Sequence, residues 1–334
     1  MITVDSLSKH FVVPRKFSAM LRGRKALRLR AVDGVSFAVE PGRVMGLVGE
    51  SGCGKSTLAQ LLVGLRTPTG GSVTFDGTPM RELKRQDRRG FHRRVQMVFQ
   101  DPYGSLNPQQ TVAEIVTRPM IYQRSRLGSA EMRARAIAAL AEAGLSPADD
   151  YLDKFPHQLS GGQRQRVCIA RAIVLEPELL VADEPISMLD VSIKWGIIRL
   201  LKRLVVERRL AMIYITHDLS SAGAVCDDLS VMYLGRIVES GPTAEVIGNP
   251  QHPYTRALLA STPSIDPARR REAADIRGAI PNALAVPEGC RFHPRCPIAR
   301  GICSRLDPAD VAVGGHRAAC HFAFGRTPDE ETQA

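Results

Sequence analysis

The nonapeptide GESGCGKST (49–57) has the spacing glycine, four residues, Gly-Lys-Ser, and lies between the short apolar run RVMGLVG (43–49) and the periodic stretch KSTLAQLLVGL (55–65). Glycines in that setting let the backbone turn so tightly that successive N–H groups converge on one point, which suits phosphate oxygens. Gly49, Gly52 and Gly54 shape such a loop, and Glu50, Ser51, Cys53 and Thr57 complete it. Lys55 brings a positive charge to the terminal phosphates, and Ser56 a hydroxyl for Mg2+. A chance glycine turn is the alternative, and the strand, loop, helix order around the motif weighs against it.

LLVADEP (179–185) supplies what a phosphate loop lacks. A buried strand ending in Asp183 places a carboxylate for Mg2+, and Glu184 emerges next to it, able to orient or deprotonate a water. Gln100 follows the run VQMVF and His217 follows AMIYIT. In a parallel sheet, ligands gather at the carboxyl ends of the strands, so these residues are expected to share one crevice. A capping glutamine and an ordinary core histidine are the bland alternatives.

A second anion site is written at LSGGQRQR (159–166). Ser160, Gly161, Gly162 and Gln163 precede a helical pattern, and unpaired amides with a hydroxyl at a helix start favour negative charge. One chain thus carries two phosphate sites more than a hundred residues apart.

The elements that must position these residues are legible as periodicity. The continuous apolar runs at 43–49, 95–99, 179–183 and 211–216 read as buried parallel strands, and helical patterns at 131–144, 164–174 and 191–207 separate them. The alternation predicts an α/β domain, helices on both faces of a mostly parallel sheet. Between Tyr103 and Leu159 the strand pattern stops, which predicts a helical insertion, about 103–165. From about residue 246 prolines break the chain into short pieces, so the expected division is a domain over 1–245 and a loop-rich C-terminal extension over 246–334.

The chain has 334 residues, 44% hydrophobic and 24% charged, with a formal net charge of +11. That balance suits a soluble protein with a large core. No apolar run approaches the roughly 18 residues that span a bilayer, and the opening MITVDSLSKHF lacks a secretory layout, so the chain is expected to stay in the cytoplasm. The charge admits nucleic acid, an anionic membrane or small polyanions as partners. Residues 14–30, PRKFSAMLRGRKALRLR, hold seven Lys or Arg and no acid. They read either as a solvated basic loop or as a segment that docks on lipid head groups.

Taken in order, the phosphate loop, Gln100, LSGGQ, Asp183-Glu184, SMLD (187–190) and His217 resemble the ATPase subunit of an ATP-binding cassette (ABC) transporter, over residues 2 to about 245. GNPQHPYTRALLAS (248–261) and CRFHPRCP (290–297) look like the ATPase subunits of oligopeptide, dipeptide and nickel importers. The resemblance implies a RecA-like P-loop NTPase fold and ATP hydrolysis with Mg2+. It also implies head-to-tail pairing, in which Ser160 to Gln163 contact the γ-phosphate held by a partner subunit. By the same resemblance Lys55 binds the β/γ-phosphates, Ser56 and Asp183 hold Mg2+, Glu184 is the general base, Gln100 senses Mg2+ and the water, His217 the γ-phosphate, and Asp190 signals across the dimer. Phe11 aligns with the aromatic that stacks on adenine, a core phenylalanine being the alternative.

The implied partners are a second ATPase subunit, identical or related, two integral permease subunits and, indirectly, an extracytoplasmic substrate-binding protein, with the chain at the cytoplasmic face of the membrane and peptides as cargo. A nickel or other small-solute importer is the alternative. A soluble cassette ATPase acting on nucleic acid or ribosomes is disfavoured by the single cassette and the importer-like tail, so no nucleic acid is expected. A small-molecule kinase leaves LSGGQ unexplained. Met188, where the family usually has Ala, and Lys194-Trp195-Gly196 depart from the pattern near the implied dimer seam.

Of seven cysteines, Cys290, Cys296, Cys303 and Cys320 crowd the final portion. Four thiolates suit an iron–sulfur cluster or structural zinc, although the spacing matches neither a ferredoxin run nor a zinc knuckle. The resemblance favours a [4Fe–4S] cluster, and zinc and unmetallated thiols stay open beside it.

Overall fold

A computed structural model of the chain describes residues 1–13, 27–261, 281 and 283–326. Two long antiparallel strands, β1 (Ile2–Val13) and β2 (Leu27–Val39), open the fold. β3 (Val44–Val48) leaves for the central sheet, and β4 (Gly70–Phe75) and β5 (Thr78–Pro79) return to complete a four-stranded sheet of order β2-β1-β4-β5. The central sheet adds β6 (Val95–Val98), β7 (Leu179–Asp183), β8 (Ala211–Thr216), β9 (Asp228–Tyr233), β10 (Arg236–Pro242), β11 (Val311–Val313) and β12 (His316–Ala318). Its order is β11-β12-β10-β9-β3-β8-β7-β6. The run from β9 to β6 is parallel, and the other three strands pair antiparallel.

Every residue of β3, β7 and β8 is buried, and successive residues face opposite sides, as strand geometry requires. Val44, Val48, Leu180, Ala182, Met212 and Tyr214 point into one core. Met45, Leu47, Leu179, Val181, Ile213 and Ile215 point into another. Burying each of the Val, Leu, Ile and Met side chains among them contributes about 1.5–3 kcal/mol, and this explains the continuous apolar runs.

The first core is closed by helices α2 (Val112–Tyr122), α3 (Ser129–Glu142), α4 (Gly161–Ile173) and α5 (Val191–Arg208). The second is closed by α1 (Lys55–Leu62) together with the antiparallel sheet, whose Ile2, Val4, Val32, Val35 and Phe75 share it. Helices therefore lie on both sides, but on one side a sheet does much of the covering. The alternating pattern of β1 and β2, half exposed, made that sheet inconspicuous in the sequence.

From Tyr103 to Leu159 the chain is helices and turns. Beyond β10, helix α6 (Pro253–Ser261) and the 290–326 segment follow, and β12 pairs with β10, Glu239 opposite Ala318. Glu239, 1% exposed, accepts from the Gln251 N–H at 2.6 Å and the His252 N–H at 2.9 Å, and faces His316 Nε2 at 2.7 Å. A buried carboxylate with three partners ties the strand, the helix start and the hairpin together. Of the basic stretch 14–30, residues 14–26 lie outside the described residues, and 27–30 begin β2.

Candidate functional site

The P loop connects β3 to α1. Gly49, Gly52 and Gly54 have φ of 159°, 80° and 115°. At Gly54 a Cβ would lie 2.0 Å from the Ala31 carbonyl oxygen, and at Gly49 2.2 Å from that of Met232. Only glycine fits either place. Lys55, 6% exposed, turns its Nζ back to the carbonyls of Gly49 at 2.7 Å and Glu50 at 2.9 Å. Burial of Cys53 pushes its thiol pKa up, so this thiol is held neutral. A pocket over the loop is lined by Ser51 through Thr57, and also by Phe11, Gln100 and Glu184. The Phe11 ring is flanked by Lys9 and Arg66, 5.4 and 5.1 Å from its centroid.

Asp183 ends β7, 6% exposed. Burial raises its pKa, a hydrogen bond from Ser56 opposes that, and Oδ1 has no hydrogen-bond partner among the described residues. A desolvated carboxylate oxygen beside a hydroxyl suits Mg2+, a cation that binds oxygen, takes few protein ligands and keeps waters. The residues present therefore fit the ion.

Glu184, the next residue, has φ of 46° and its N–H donates to the Ile215 carbonyl at 2.9 Å. A left-handed conformation costs a residue with a side chain roughly 1–2 kcal/mol, and such strain is common at working sites. It aims the carboxylate between two neighbours. Oε2 accepts from Gln100 Nε2 at 3.0 Å, and Oε1 lies 3.2 Å from His217 Nδ1. Three strand ends, those of β6, β7 and β8, thus converge, as the sequence led us to expect.

LSGGQ lies elsewhere. Ser160 caps α4 in a reciprocal box: the Gln163 N–H donates to Ser160 Oγ at 3.3 Å, and the Ser160 N–H to Gln163 Oε1 at 2.9 Å. Gly161 follows, and Gly162 is packed so tightly that a Cβ would meet Ile193 Cγ2 at 2.7 Å. None of Ser160, Gly161, Gly162 and Gln163 lines the pocket over the P loop. Asp190 stands at the N-cap position of α5 without a side-chain capping bond, with Met188, 55% exposed, and Trp195, 46% exposed, close in sequence. A residue the sequence did not flag here is Arg164, which donates to the Pro156 and Leu159 carbonyls at 2.7 and 2.6 Å and lies 4.1 Å from the Tyr103 ring centroid. Its signal was only the arginine-rich run after the motif.

Two further contacts on the P loop come from the C-terminal segments. The Glu50 N–H donates to Tyr254 Oη at 2.8 Å, and Arg295 holds the Glu50 carboxylate. GNPQHPYTRALLAS and CRFHPRCP contain these residues, but nothing in either motif points to a loop some 200 residues away.

Burial pushes the Cys290 thiol up to about 12 and the Cys320 thiol up to about 11, and the neighbouring cysteines, Cys296 and Cys303 among them, add to both shifts. Among the described residues no three His, Cys, Asp or Glu side chains are placed to hold a metal ion. The expected iron–sulfur cluster and the zinc alternative thus gain no support from the geometry among the described residues.

These features are those of a P-loop ATPase, and the comparisons agree. The ABC transporter family matches residues 32–187, and the oligopeptide/dipeptide transporter C-terminal region matches 238–303. The dipeptide transport ATP-binding protein DppF of Escherichia coli (strain K12) is 41% identical over 327 residues, 98% of this chain and 95% of that one. The putative oligopeptide transport ATP-binding protein YkfD of Bacillus subtilis (strain 168) is 43% identical over 326 residues, 96% of this chain and 95% of that one. Among solved structures, the ATP-binding cassette MJ0796, a dimer in a post-hydrolysis state bound to ADP and Pi, aligns with a TM-score of 0.62 and 28% identity, covering 73% of this chain and 99% of that one. The chain belongs to the ABC transporter family. It is an ABC ATPase carrying the C-terminal region found in oligopeptide and dipeptide transporters. No helix among the described residues is long and apolar enough to cross a membrane.

Proposed function

We propose that this chain is the ATP-hydrolysing subunit of an importer that takes up dipeptides or oligopeptides, and that each ATP is held between its P loop and the LSGGQ of a facing subunit. One observation carries the second half of that reading. Glu184, Gln100, Lys55 and Ser56 meet at one pocket, while the other phosphate-binding feature of the chain opens a helix outside it. Amides and a hydroxyl at a helix start stabilise phosphate charge but move no proton, so LSGGQ can complete a site but not constitute one. The peptide cargo is supported by the names of the relatives and the matching C-terminal region.

Lys55 would leave the Gly49 and Glu50 carbonyls for the β/γ-phosphates. Ser56 and Asp183 would hold Mg2+, which supplies charge neutralisation at the β- and γ-oxygens. Phe11 offers its face to the base, and Glu184 takes the proton of the attacking water, kept in place by Gln100 and His217. Asp190, at the exposed start of α5, is assigned to contact across the dimer. The division into a nucleotide-binding domain over 1–245 and an extension over 246–334 is supported by the two separate family matches. Partners are a second ATPase subunit, two permease subunits and an external binding protein, at the cytoplasmic face of the membrane.

The test is co-purification. A tagged chain extracted from its native membranes should bring down integral subunits, and vesicles rebuilt from that complex should accumulate a labelled dipeptide only with ATP on the chain's side. Salt-sensitive RNA binding without membrane partners would overturn the reading.

A further inference from the structure

Glu50 is a three-way junction. Its carbonyl accepts from Lys55 Nζ, its N–H donates to Tyr254 Oη, and its carboxylate takes a two-pronged pair from Arg295, Nη1 to Oε2 at 2.8 Å and Nη2 to Oε1 at 3.0 Å. Tyr254 is 0% and Arg295 6% exposed. Both are set by a buried aromatic trio drawn from three segments: β9 gives Tyr233, α6 gives Tyr254 and the 290–296 loop gives Phe292. The ring centroids are 4.7 Å apart for Tyr233 and Tyr254, 5.4 Å for Tyr254 and Phe292, and 5.3 Å for Tyr233 and Phe292. The neighbouring Arg291, also buried, donates to the Leu234 carbonyl and to Asp33, and Asp33 in turn holds His10 beside Phe11.

Two-pronged guanidinium–carboxylate pairs fix direction as well as distance. The Glu50 amide is directed at the C-terminal segment, so the turn at Gly49-Glu50 cannot rotate without breaking it. The lysine that must meet the phosphates rests on the carbonyls of those same two residues.

We propose that Tyr254 and Arg295 are positioning residues for ATP: by holding Glu50 they set the curvature of the P loop and the starting place of Lys55, which makes the C-terminal region a working part of the nucleotide site. The proposal rests on the ATP-binding reading above.

The test uses the full-length chain, titrated with a fluorescent N-methylanthraniloyl ATP and Mg2+, alongside its melting temperature. Tyr254→Phe removes one hydroxyl and is expected to weaken binding about 3- to 10-fold at nearly unchanged melting temperature. Arg295→Gln should weaken it about 10-fold or more. The double variant Glu50→Gln/Arg295→Gln, whose amides can pair, should bind better than the product of the single effects requires. In hydrolysis by the assembled complex, both single variants should raise KM for ATP more than they lower kcat. Wild-type affinity in Tyr254→Phe and Arg295→Gln, or a lowered melting temperature alone, overturns the proposal. If Arg295→Gln does not fold, Tyr254→Phe decides. A folded wild-type chain that ignores the probe overturns the ATP-binding reading itself and the proposal with it.

Discussion

The side-chain amide of Gln100, just past β6, donates to Oε2 of Glu184, just past β7, over 3.0 Å. With His217 at the other oxygen, each carboxylate oxygen has one neighbour, which fixes the orientation and leaves lone pairs for a water. A base so fixed needs no search for its water. Glu184→Gln keeps the shape and loses the basicity, so nucleotide binding should persist while phosphate release falls about 100-fold or more. Release at the wild-type rate would remove Glu184 from its role.

Asp183 makes function and stability pull apart. Its pKa is raised, chiefly by burial, so the folded state is favoured by protonation: the contribution is fully present below the unfolded pKa and is lost as pH rises through the raised one. At neutral pH the ionised group is a burden on the metal-free protein. Asp183→Asn should therefore raise the melting temperature in EDTA, by roughly 2–4 °C for each kcal/mol relieved, while abolishing Mg2+-dependent hydrolysis. A lower melting temperature would show the carboxylate to be stabilising.

The separation of LSGGQ from the P loop predicts complementation. Lys55→Ala spoils one half of each shared site and Ser160→Arg the other, so each variant alone should be inactive. Mixed in equal amounts, with self-pairing, the hybrid dimer keeps one intact site and regains about a quarter of wild-type hydrolysis, half the dimers being hybrids with one site of two. No recovery on mixing would show that the chain pairs only with a related subunit.

His252 provides an acid-sensitive point. It is 1% exposed, its Nδ1 accepts from the Tyr254 N–H at 3.0 Å, and its pKa is lowered to about 3 by burial and then by the charge of Arg256. Between that value and its ordinary 6.5 the unfolded chain binds a proton the folded one does not. Stability should fall as pH drops below about 6.5, with a slope of up to about 1.4 kcal/mol per pH unit from this residue. His252→Asn should flatten the decline of the melting temperature in that range, and an unchanged slope would exonerate the histidine.

The strand-end residues were legible because each stands directly after a continuous apolar run, and burial on both faces of a parallel strand is written in consecutive residues. Gln100, Asp183, Glu184 and His217 needed no long-range information. The antiparallel sheet of β1, β2, β4 and β5 was harder, since alternating strands with one exposed side resemble loops of mixed polarity. The clamp on Glu50 was not legible at all. Arg295 and Tyr254 are 245 and 204 residues away, and a contact over that span leaves no periodicity in either segment. The four crowded cysteines show the opposite limit: composition suggested a metal, and among the described residues the placement shows no ligand set.

Lys55 already rests on two carbonyl oxygens at the mouth of its loop. Those dipoles offer the ammonium oxygen partners of the kind a polyphosphate supplies, and they tie the lysine to the backbone of its own loop. Arrival of nucleotide is then an exchange of one set of oxygens for another as the ammonium leaves those carbonyls, with little backbone left to immobilise. A loop held ready in this way should refill with little rearrangement of its own backbone after each turnover.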